Sequence, residues 1–198
     1  MRGRRNPFVA HEGLLPLILL LAIAALLFRY SEPLHALAPL VVFTLLLFIF
    51  RDPHREVSSV ALGVFSPVDG KVLEVDSLET GDTGEPVLRV VLAINSLGTY
   101  TARSPVEGSI KDLGSNALWL QTDEGVDVTL KFRNYRLGLA PHAFARYGER
   151  LGQGQRCAYL RLAGIAEVQW PVNGKVAVEV GQVVKAGTDL LGTVHSPR

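Results

Sequence analysis

Two uncharged apolar segments near the N-terminus restrict the possible folds of this chain more than any other feature. Residues 13–28 and 34–50 contain no Asp, Glu, Lys or Arg over 16 and 17 residues, and both are dense in Leu, Ile, Val and Phe. A helix on the surface of a soluble protein keeps a polar face, which neither segment has. Their lengths are close to the roughly 17–25 residues that a membrane-spanning helix requires. We therefore predict an α-helical membrane hairpin over residues 1–55, in preference to buried core helices or a cleavable signal peptide.

Basic residues flank this hairpin at both ends. They are Arg2, Arg4, Arg5, Arg51 and Arg55. Because cytoplasmic segments are enriched in Lys and Arg, both ends of the hairpin are predicted to be cytoplasmic. We expect the protein in the inner (cytoplasmic) membrane, with a soluble domain over residues 56–198 that faces the cytoplasm.

The composition of that soluble domain excludes several classes of function. Residues 56–198 contain 14 Lys and Arg against 16 Asp and Glu and no basic block, so nucleic-acid binding is not expected. The single cysteine, Cys157, cannot form an intrachain disulfide and fits a reducing compartment. No Cys and His cluster has the spacing of a metal site, so no metal is expected.

Short apolar or alternating runs, separated by Gly, Pro, Asp and Asn, fill the chain from residue 60 onward. This pattern predicts a mainly-β domain without an amphipathic helix. The predicted strands are residues 64–65, 72–75, 87–94, 118–121, 126–132, 159–162, 168–170 and 176–180.

Two phrases recur within the β-rich part. Pro-Val-Asp/Glu/Asn-Gly occupies residues 67–70, 105–108 and 171–174, and glycines and apolar residues share one spacing in residues 148–157 and 181–190. Each phrase combines residues typical of tight turns. The turns could belong to ordinary hairpins. Their repetition favours a domain with internal repeats, of the barrel-sandwich architecture of biotinyl/lipoyl-like domains.

Several longer motifs follow one another over nearly the whole chain. They are Ala10-His-Glu-Gly13, Phe50-Arg-Asp-Pro53, Ser66-Pro-Val-Asp-Gly-Lys-Val72, Arg103-Ser-Pro-Val-Glu-Gly108, Gly154-Gln-Arg156 and Val180-Gly-Gln-Val-Val-Lys-Ala-Gly187. In this order they resemble the short, membrane-anchored phosphatidylserine decarboxylases. The resemblance implies a protein of phospholipid biosynthesis whose family cuts its own chain at a Gly-Ser bond. The serine becomes a pyruvoyl group, which binds the substrate amine and accepts electrons as CO₂ leaves.

The resemblance also implies three site positions, two of which are replaced in this chain. Asp69 retains the family's Asp in the Ser-Pro-Val-Asp-Gly phrase, whereas Tyr100 stands at the position of the catalytic His. Counting back seven residues from Pro171 reaches Gly164, at the position of the pyruvoyl-forming Ser. Glycine has no hydroxyl group, so no cofactor is expected.

Four further residues bear on activity or lipid binding. Arg103 is the candidate for a phosphate contact, because a guanidinium fork suits phosphate oxygens. Glu167 stands at an acidic family position and is interpreted as part of a solvated strand face. Cys157 is interpreted as an inert buried thiol. Ser196, the only serine after residue 125, lies too near the end to replace the missing precursor.

Three hypotheses follow. The first is a non-catalytic homologue that binds an aminophospholipid headgroup in the membrane, or acts as a homo-oligomer or with an active family member. The second is an active phosphatidylserine decarboxylase, a carboxy-lyase that uses a displaced precursor residue. The third is a membrane-complex scaffold with a lipoyl-like β module, for which Lys175 lacks the neighbours of a modified lysine.

Overall fold

The chain divides into two units. A computed structural model describes residues 8–55, 57, 60–95, 97–114, 116–135 and 139–195, so Arg2, Arg4, Arg5 and Ser196 lie outside the described residues. The first unit takes the described part of Met1–His54 together with Leu97–Tyr100. The second takes the described part of Arg55–Ser96 and Thr101–Arg198. The sequence did not predict that Leu97–Tyr100 belongs with the N-terminal residues.

The first unit is helical. Helix α1 spans His11–Tyr30, a 3₁₀ turn spans Pro33–Ala36, and helix α2 spans Leu37–Ile49. Among the described residues, α1 alone is long and apolar enough to cross a membrane. Helix α2 has 13 residues. At a rise of about 1.5 Å per residue it extends about 20 Å, less than the hydrocarbon core of a bilayer at about 30 Å. The expected apolar helical N-terminus is confirmed, but the second segment forms a helix too short to cross alone.

Backbone hydrogen bonds hold the start of α1 beside the end of α2. The Ala10 N–H donates to the Phe50 carbonyl at 2.9 Å, and the Asp52 N–H donates to the Phe8 carbonyl at 2.7 Å. These bonds join the two chain segments at the open end of the helical hairpin, opposite the 3₁₀ turn.

The second unit is built from strands, with no helix among its described residues. The strands are β1 (Gly63–Phe65), β2 (Gly70–Leu78), β3 (Val87–Ile94), β4 (Thr101–Arg103), β5 (Gly108–Leu113), β6 (Ala117–Gln121), β7 (Asp127–Tyr135), β8 (His142–Ala143), β9 (Arg150–Leu151), β10 (Arg156–Tyr159), β11 (Ala163–Pro171), β12 (Lys175–Val176), β13 (Val183–Val184) and β14 (Leu190–Thr193). The predicted mainly-β domain is confirmed.

Within the described residues these strands form three sheets. The largest has eight strands in the order β13-β2-β3-β11-β7-β6-β5-β9, and two smaller sheets have the orders β1-β14-β12 and β4-β10-β8. The long strand β11 lies inside the large sheet and pairs antiparallel with β3 and β7. Alternate residues of β11 point into the core, where Val168 and Trp170 are fully buried. The large sheet therefore carries the core of the unit on one face.

Two predicted strands extend three or four residues into connections between strands. The chain turns at residues 160–162, where Arg161 has a φ of +51° and the Ala163 N–H donates to the Leu160 carbonyl. Strand β12 ends at Val176, and beyond it the Ala177 N–H still donates to the Leu191 carbonyl at 2.8 Å but residues 177–180 are not part of a strand. In both places apolar residues are buried in connections between strands, which an apolar pattern does not distinguish from strands.

The loops that contain the two Ser-Pro-Val phrases make the same hydrogen bonds. The hydroxyl of Ser66 donates to the Val68 carbonyl and that of Ser104 to the Val106 carbonyl, each at 2.7 Å. The loops also bond to each other, since the Phe65 N–H donates to the Pro105 carbonyl and the Arg103 N–H to the Pro67 carbonyl, both at 2.8 Å. The two phrases thus meet in space.

Candidate functional site beside Asp69

The register of the large sheet brings Asp69 and Gly164 to the same end of it. Lys71 on β2 pairs with Ala93 on β3, which in turn pairs with Ile165 on β11. Asp69 lies two residues before Lys71, and Gly164 lies one residue before Ile165. Neighbouring strands are about 4.8 Å apart, so β2 and β11, which β3 separates, lie about 10 Å apart at this point.

The Asp69 carboxylate is buried and hydrogen-bonded on both oxygens. Oδ1 accepts from the Ala186 backbone N–H at 2.8 Å, and Oδ2 accepts from the Arg55 guanidinium at 2.8 Å. These contacts join the turn before β2 to the loop between β13 and β14. Asp69 therefore has a structural role in addition to any function at the site.

Gly164 is half-buried inside β11 and faces Asn134 on β7. A Cβ atom at position 164 would stand 3.1 Å from the Asn134 carbonyl oxygen and 3.5 Å from its Nδ2. The first of these contacts is closer than a Cβ normally makes, so a larger residue would require a small shift of Asn134. Asn134 has a φ of +53°, which a residue other than glycine seldom adopts.

A cavity of about 450 Å³ opens beside Asp69. Its polar lining consists of Arg55, Asp69, Lys71, Asn95 and Lys185. Sequence reasoning assigned no site role to the other four, because they come from four separate parts of the chain. One signal was present: Lys71 directly follows the Asp69-Gly70 turn.

Arg103, the predicted phosphate contact, is only 2% exposed. Its Nη1 donates to the Gly154 carbonyl at 3.1 Å, and a Cβ at position 187 would stand 2.8 Å from its Cδ. The guanidinium thus supports the packing of two glycine turns. Its contact with a phosphate stays a prediction.

Tyr100 belongs to the first unit, where its side chain and backbone contact the helical hairpin. The hydroxyl donates to Oε2 of Glu12 at 2.9 Å, and the backbone N–H donates to the Arg51 carbonyl at 3.2 Å. The ring packs edge-to-face on Phe50, with centroids 4.8 Å apart. Tyr100 therefore holds Leu97–Tyr100 on the helical hairpin.

The prediction that Glu167 lies on a solvated strand face is wrong, because the residue is 1% exposed. Its carboxylate pairs with Arg133 and accepts a hydrogen bond of 2.6 Å from Nε2 of Gln169. Asp82 lies in the loop between β2 and β3, and its backbone N–H donates to Oε1 of Gln169 at 3.0 Å. This loop approaches the outer face of the sheet, so the face that was predicted to be solvated is buried at Glu167.

Cys157 is a buried thiol, as predicted. Burial raises its pKa to about 12, with nearby Arg103 opposing the shift. The thiolate, which is the reactive form, is therefore scarce near neutral pH.

Comparison with known proteins identifies relatives along nearly the whole chain. The phosphatidylserine decarboxylase proenzyme of Nitrosomonas eutropha is 30% identical over 206 residues, which cover 94% of this chain and 95% of that protein. That of Nitrosomonas europaea is 29% identical over 209 residues, covering 96% and 97%. The chain belongs to the phosphatidylserine decarboxylase family. The proenzyme of Paraburkholderia phymatum, another relative, is 27% identical over 208 residues, covering 94% and 97%.

Other comparisons add little to the family assignment. No family model matches the chain. Among solved structures, glucose permease IIA from Mycoplasma capricolum resembles 66% of this chain and 94% of its own, with a TM-score of 0.47 and 18% identity. A likeness at this level is no guide to fold or function.

Membership of the phosphatidylserine decarboxylase family explains why the end of the sheet near Asp69 is the candidate site. The relatives are named phosphatidylserine decarboxylase proenzymes, so the substrate that their name gives is a phospholipid. The structure brings Asp69 and Gly164 to one end of the second unit, while Tyr100 belongs to the first. The catalytic roles carried over to these three positions stay predictions.

Proposed function

We propose that this protein is a non-catalytic member of the phosphatidylserine decarboxylase family that binds an aminophospholipid headgroup in the cavity beside Asp69. Helix α1 would anchor it in the inner membrane, with the second unit facing the cytoplasm. The observation that carries the proposal is the glycine at position 164, at the end of the sheet where Asp69 and the cavity lie.

The chemistry of position 164 supports the absence of activity. A pyruvoyl group requires a side-chain oxygen that attacks the preceding peptide bond, and Gly164 has none. Cys157 is the nearest alternative nucleophile in the sequence, but it is buried and protonated near neutral pH. The Tyr100 hydroxyl is hydrogen-bonded to Glu12, so it does not reproduce an imidazole base.

The charges around the cavity support headgroup binding. The exposed ammonium groups of Lys71 and Lys185 can contact phosphate and carboxylate oxygens, and the Asp69 carboxylate can accept a hydrogen bond from a primary amine. A carboxylate oxygen can accept more than one hydrogen bond, so the hydrogen bonds from Arg55 and Ala186 do not by themselves prevent a contact of Asp69 with an amine. This arrangement matches a headgroup that carries both charges.

We also infer that the second unit is an internally repeated domain of the barrel-sandwich type. The matched bonds of the Ser66 and Ser104 loops support this, as does a second matched pair: the Gly148 N–H donates to the Ile110 carbonyl at 2.9 Å and the Gly181 N–H to the Val72 carbonyl at 2.8 Å. The strands β9 and β13 end the large sheet, and such edges could pair with a second copy or an active relative.

Binding and catalysis can be measured separately on the full chain in nanodiscs. We expect glycerophosphoserine and glycerophosphoethanolamine to bind saturably, and glycerophosphocholine to bind more weakly, because its quaternary amine cannot donate a hydrogen bond to Asp69. We expect no CO₂ from carboxyl-labelled phosphatidylserine under conditions where a catalytic relative releases it. CO₂ release would favour the active decarboxylase, and equal binding of all three headgroups would contradict recognition of the amine.

A further inference from the structure

The edge of the large sheet next to the cavity exposes several apolar side chains. Val183 on β13 is 71% exposed, Val180 just before it is 64% exposed, and Leu73 on β2 is 42% exposed. Val183 pairs directly with Lys71, and Leu73 lies two residues further along β2. Directly paired residues share one face of a sheet, so Lys71 and Val183 point outward together. A β-bulge between Val72 and Glu74 interrupts the alternation at Leu73, whose side chain is nevertheless exposed beside them. These residues with Val180 and Lys185 form what we term the β13 face.

A matched turn at the other edge of the sheet has a different surface. Tyr147 precedes Gly148, which has a φ of +73°, as Val180 precedes Gly181, which has a φ of +93°. There, Arg150 occupies the place that Val183 has on β13, since it pairs with Ser109 as Val183 pairs with Lys71.

The charges of the two edges also differ. The Arg150 guanidinium bonds to Glu107 at 2.9 Å and to Asp123 at 2.5 Å, so acidic partners balance its charge. On the β13 face, exposed Lys71 and Lys185 flank the valines, and Glu179 is an exposed carboxylate in the same turn. The β13 face therefore combines apolar groups with two exposed lysines, whereas the arginine of the β9 edge is paired with carboxylates.

We propose that the β13 face docks on the surface of a bilayer that contains anionic phospholipid. A membrane surface buries exposed valine side chains in its interfacial region. Each Lys near an anionic surface adds electrostatic attraction. This inference rests on the proposed lipid-binding function, which it extends from the headgroup to the bilayer.

Docking at this face would bring lipid to the cavity. Lys71, Val183 and Lys185 line the cavity as well as forming the β13 face. A headgroup at the docked surface would then lie beside the residues that are proposed to bind it. Because the exposed apolar face is continuous with a proposed headgroup site, a lipid bilayer fits this surface better than a water-soluble protein partner does.

The buried Cys157 permits a direct test by fluorescence, because the native full-length chain should not react with thiol reagents. Val180→Cys, labelled with an environment-sensitive dye, is compared with Tyr147→Cys, whose native residue is 74% exposed in the matched turn. Both variants are reconstituted as full chains in nanodiscs of phosphatidylcholine with or without phosphatidylserine. Both variants are held at the nanodisc by the same N-terminal helix. A change in dye emission caused only by this attachment should therefore be similar at positions 147 and 180.

We expect a blue-shifted emission at position 180, and quenching by spin-labelled lipid, in nanodiscs that contain phosphatidylserine. The shift should be lost in phosphatidylcholine alone and in 1 M salt, where the Debye length falls to about 3 Å. A solvent-like emission at position 180, or equal quenching at positions 147 and 180, would overturn the docking proposal. Glycerophosphoserine binding by the same labelled protein tests the headgroup site independently, so failure of docking and failure of headgroup binding are distinguishable.

Discussion

Replacing Gly70 with alanine should lower the stability of the second unit by about 3 kcal/mol. Gly70 lies on β2 between β3 and β13, where it pairs with Ile94 and Val184. A Cβ atom at position 70 would overlap the backbone carbonyl of Ala93. Because backbone rather than a flexible side chain is in the way, the strands must separate to admit the methyl group. Both tryptophans, Trp119 and Trp170, lie in the second unit, so thermal unfolding followed by tryptophan fluorescence reports on this unit.

Gly114→Ala is the matched control for this substitution. The nearest neighbour of a Cβ at position 114 is the Ala117 Cβ at 3.4 Å, and the φ of Gly114 is outside the left-handed region. We expect its unfolding midpoint to stay close to that of the native chain. An unchanged midpoint for Gly70→Ala would show that the close pairing of β2 with β3 is wrong at this point.

Charge reversal at both cavity lysines should nearly abolish headgroup binding. In Lys71→Glu/Lys185→Glu, two attractive contacts with the phosphate and carboxylate are lost and two repulsive charges are added. An exposed ion pair contributes up to about 1 kcal/mol, and each added like-charge contact costs a comparable amount, so a total loss of about 3 kcal/mol is expected. This corresponds to a fall in affinity for glycerophosphoserine of roughly 100-fold, measurable by calorimetry.

A second double variant separates local contacts from the overall charge. Lys111→Glu/Lys175→Glu makes the same change in net charge at two exposed lysines that do not line the cavity. Its affinity for glycerophosphoserine should remain within a few-fold of the native value, because exposed charges beyond about 10 Å are screened. Equal losses in the two variants would place the headgroup elsewhere.

The sequence predicted much of the second unit because strand signals are local. Residues 87–94 are apolar except for Arg89 and have turn residues on either side, and the structure places β3 over Val87–Ile94. The two-residue strands β9 and β13 were not predicted, because pairing with a neighbour defines them rather than composition. Helix α2 is shorter than its apolar segment because a 3₁₀ turn takes up Pro33–Ala36.

The candidate site was less accessible from sequence. Asp69 was found through a motif, but its partner Arg55 was assigned only to the flank of the membrane hairpin. The lining residues Asn95 and Lys185 join Asp69 only when β2, β3 and β13 assemble. Likewise, the burial of Glu167 depends on a loop from another strand pair, and no period within β11 indicates it. The environment of each of these residues depends on contacts between segments that are far apart in the sequence, which local sequence patterns do not indicate.

The intact mass of the purified full-length protein tests the absence of a pyruvoyl group most directly. A chain with Gly164 at the precursor position should remain uncleaved, with one species near 21.5 kDa that forms no adduct with hydroxylamine. Two fragments separated near residues 163 and 164, or a hydroxylamine adduct on any fragment, would contradict the account and show that the protein makes its own carbonyl cofactor.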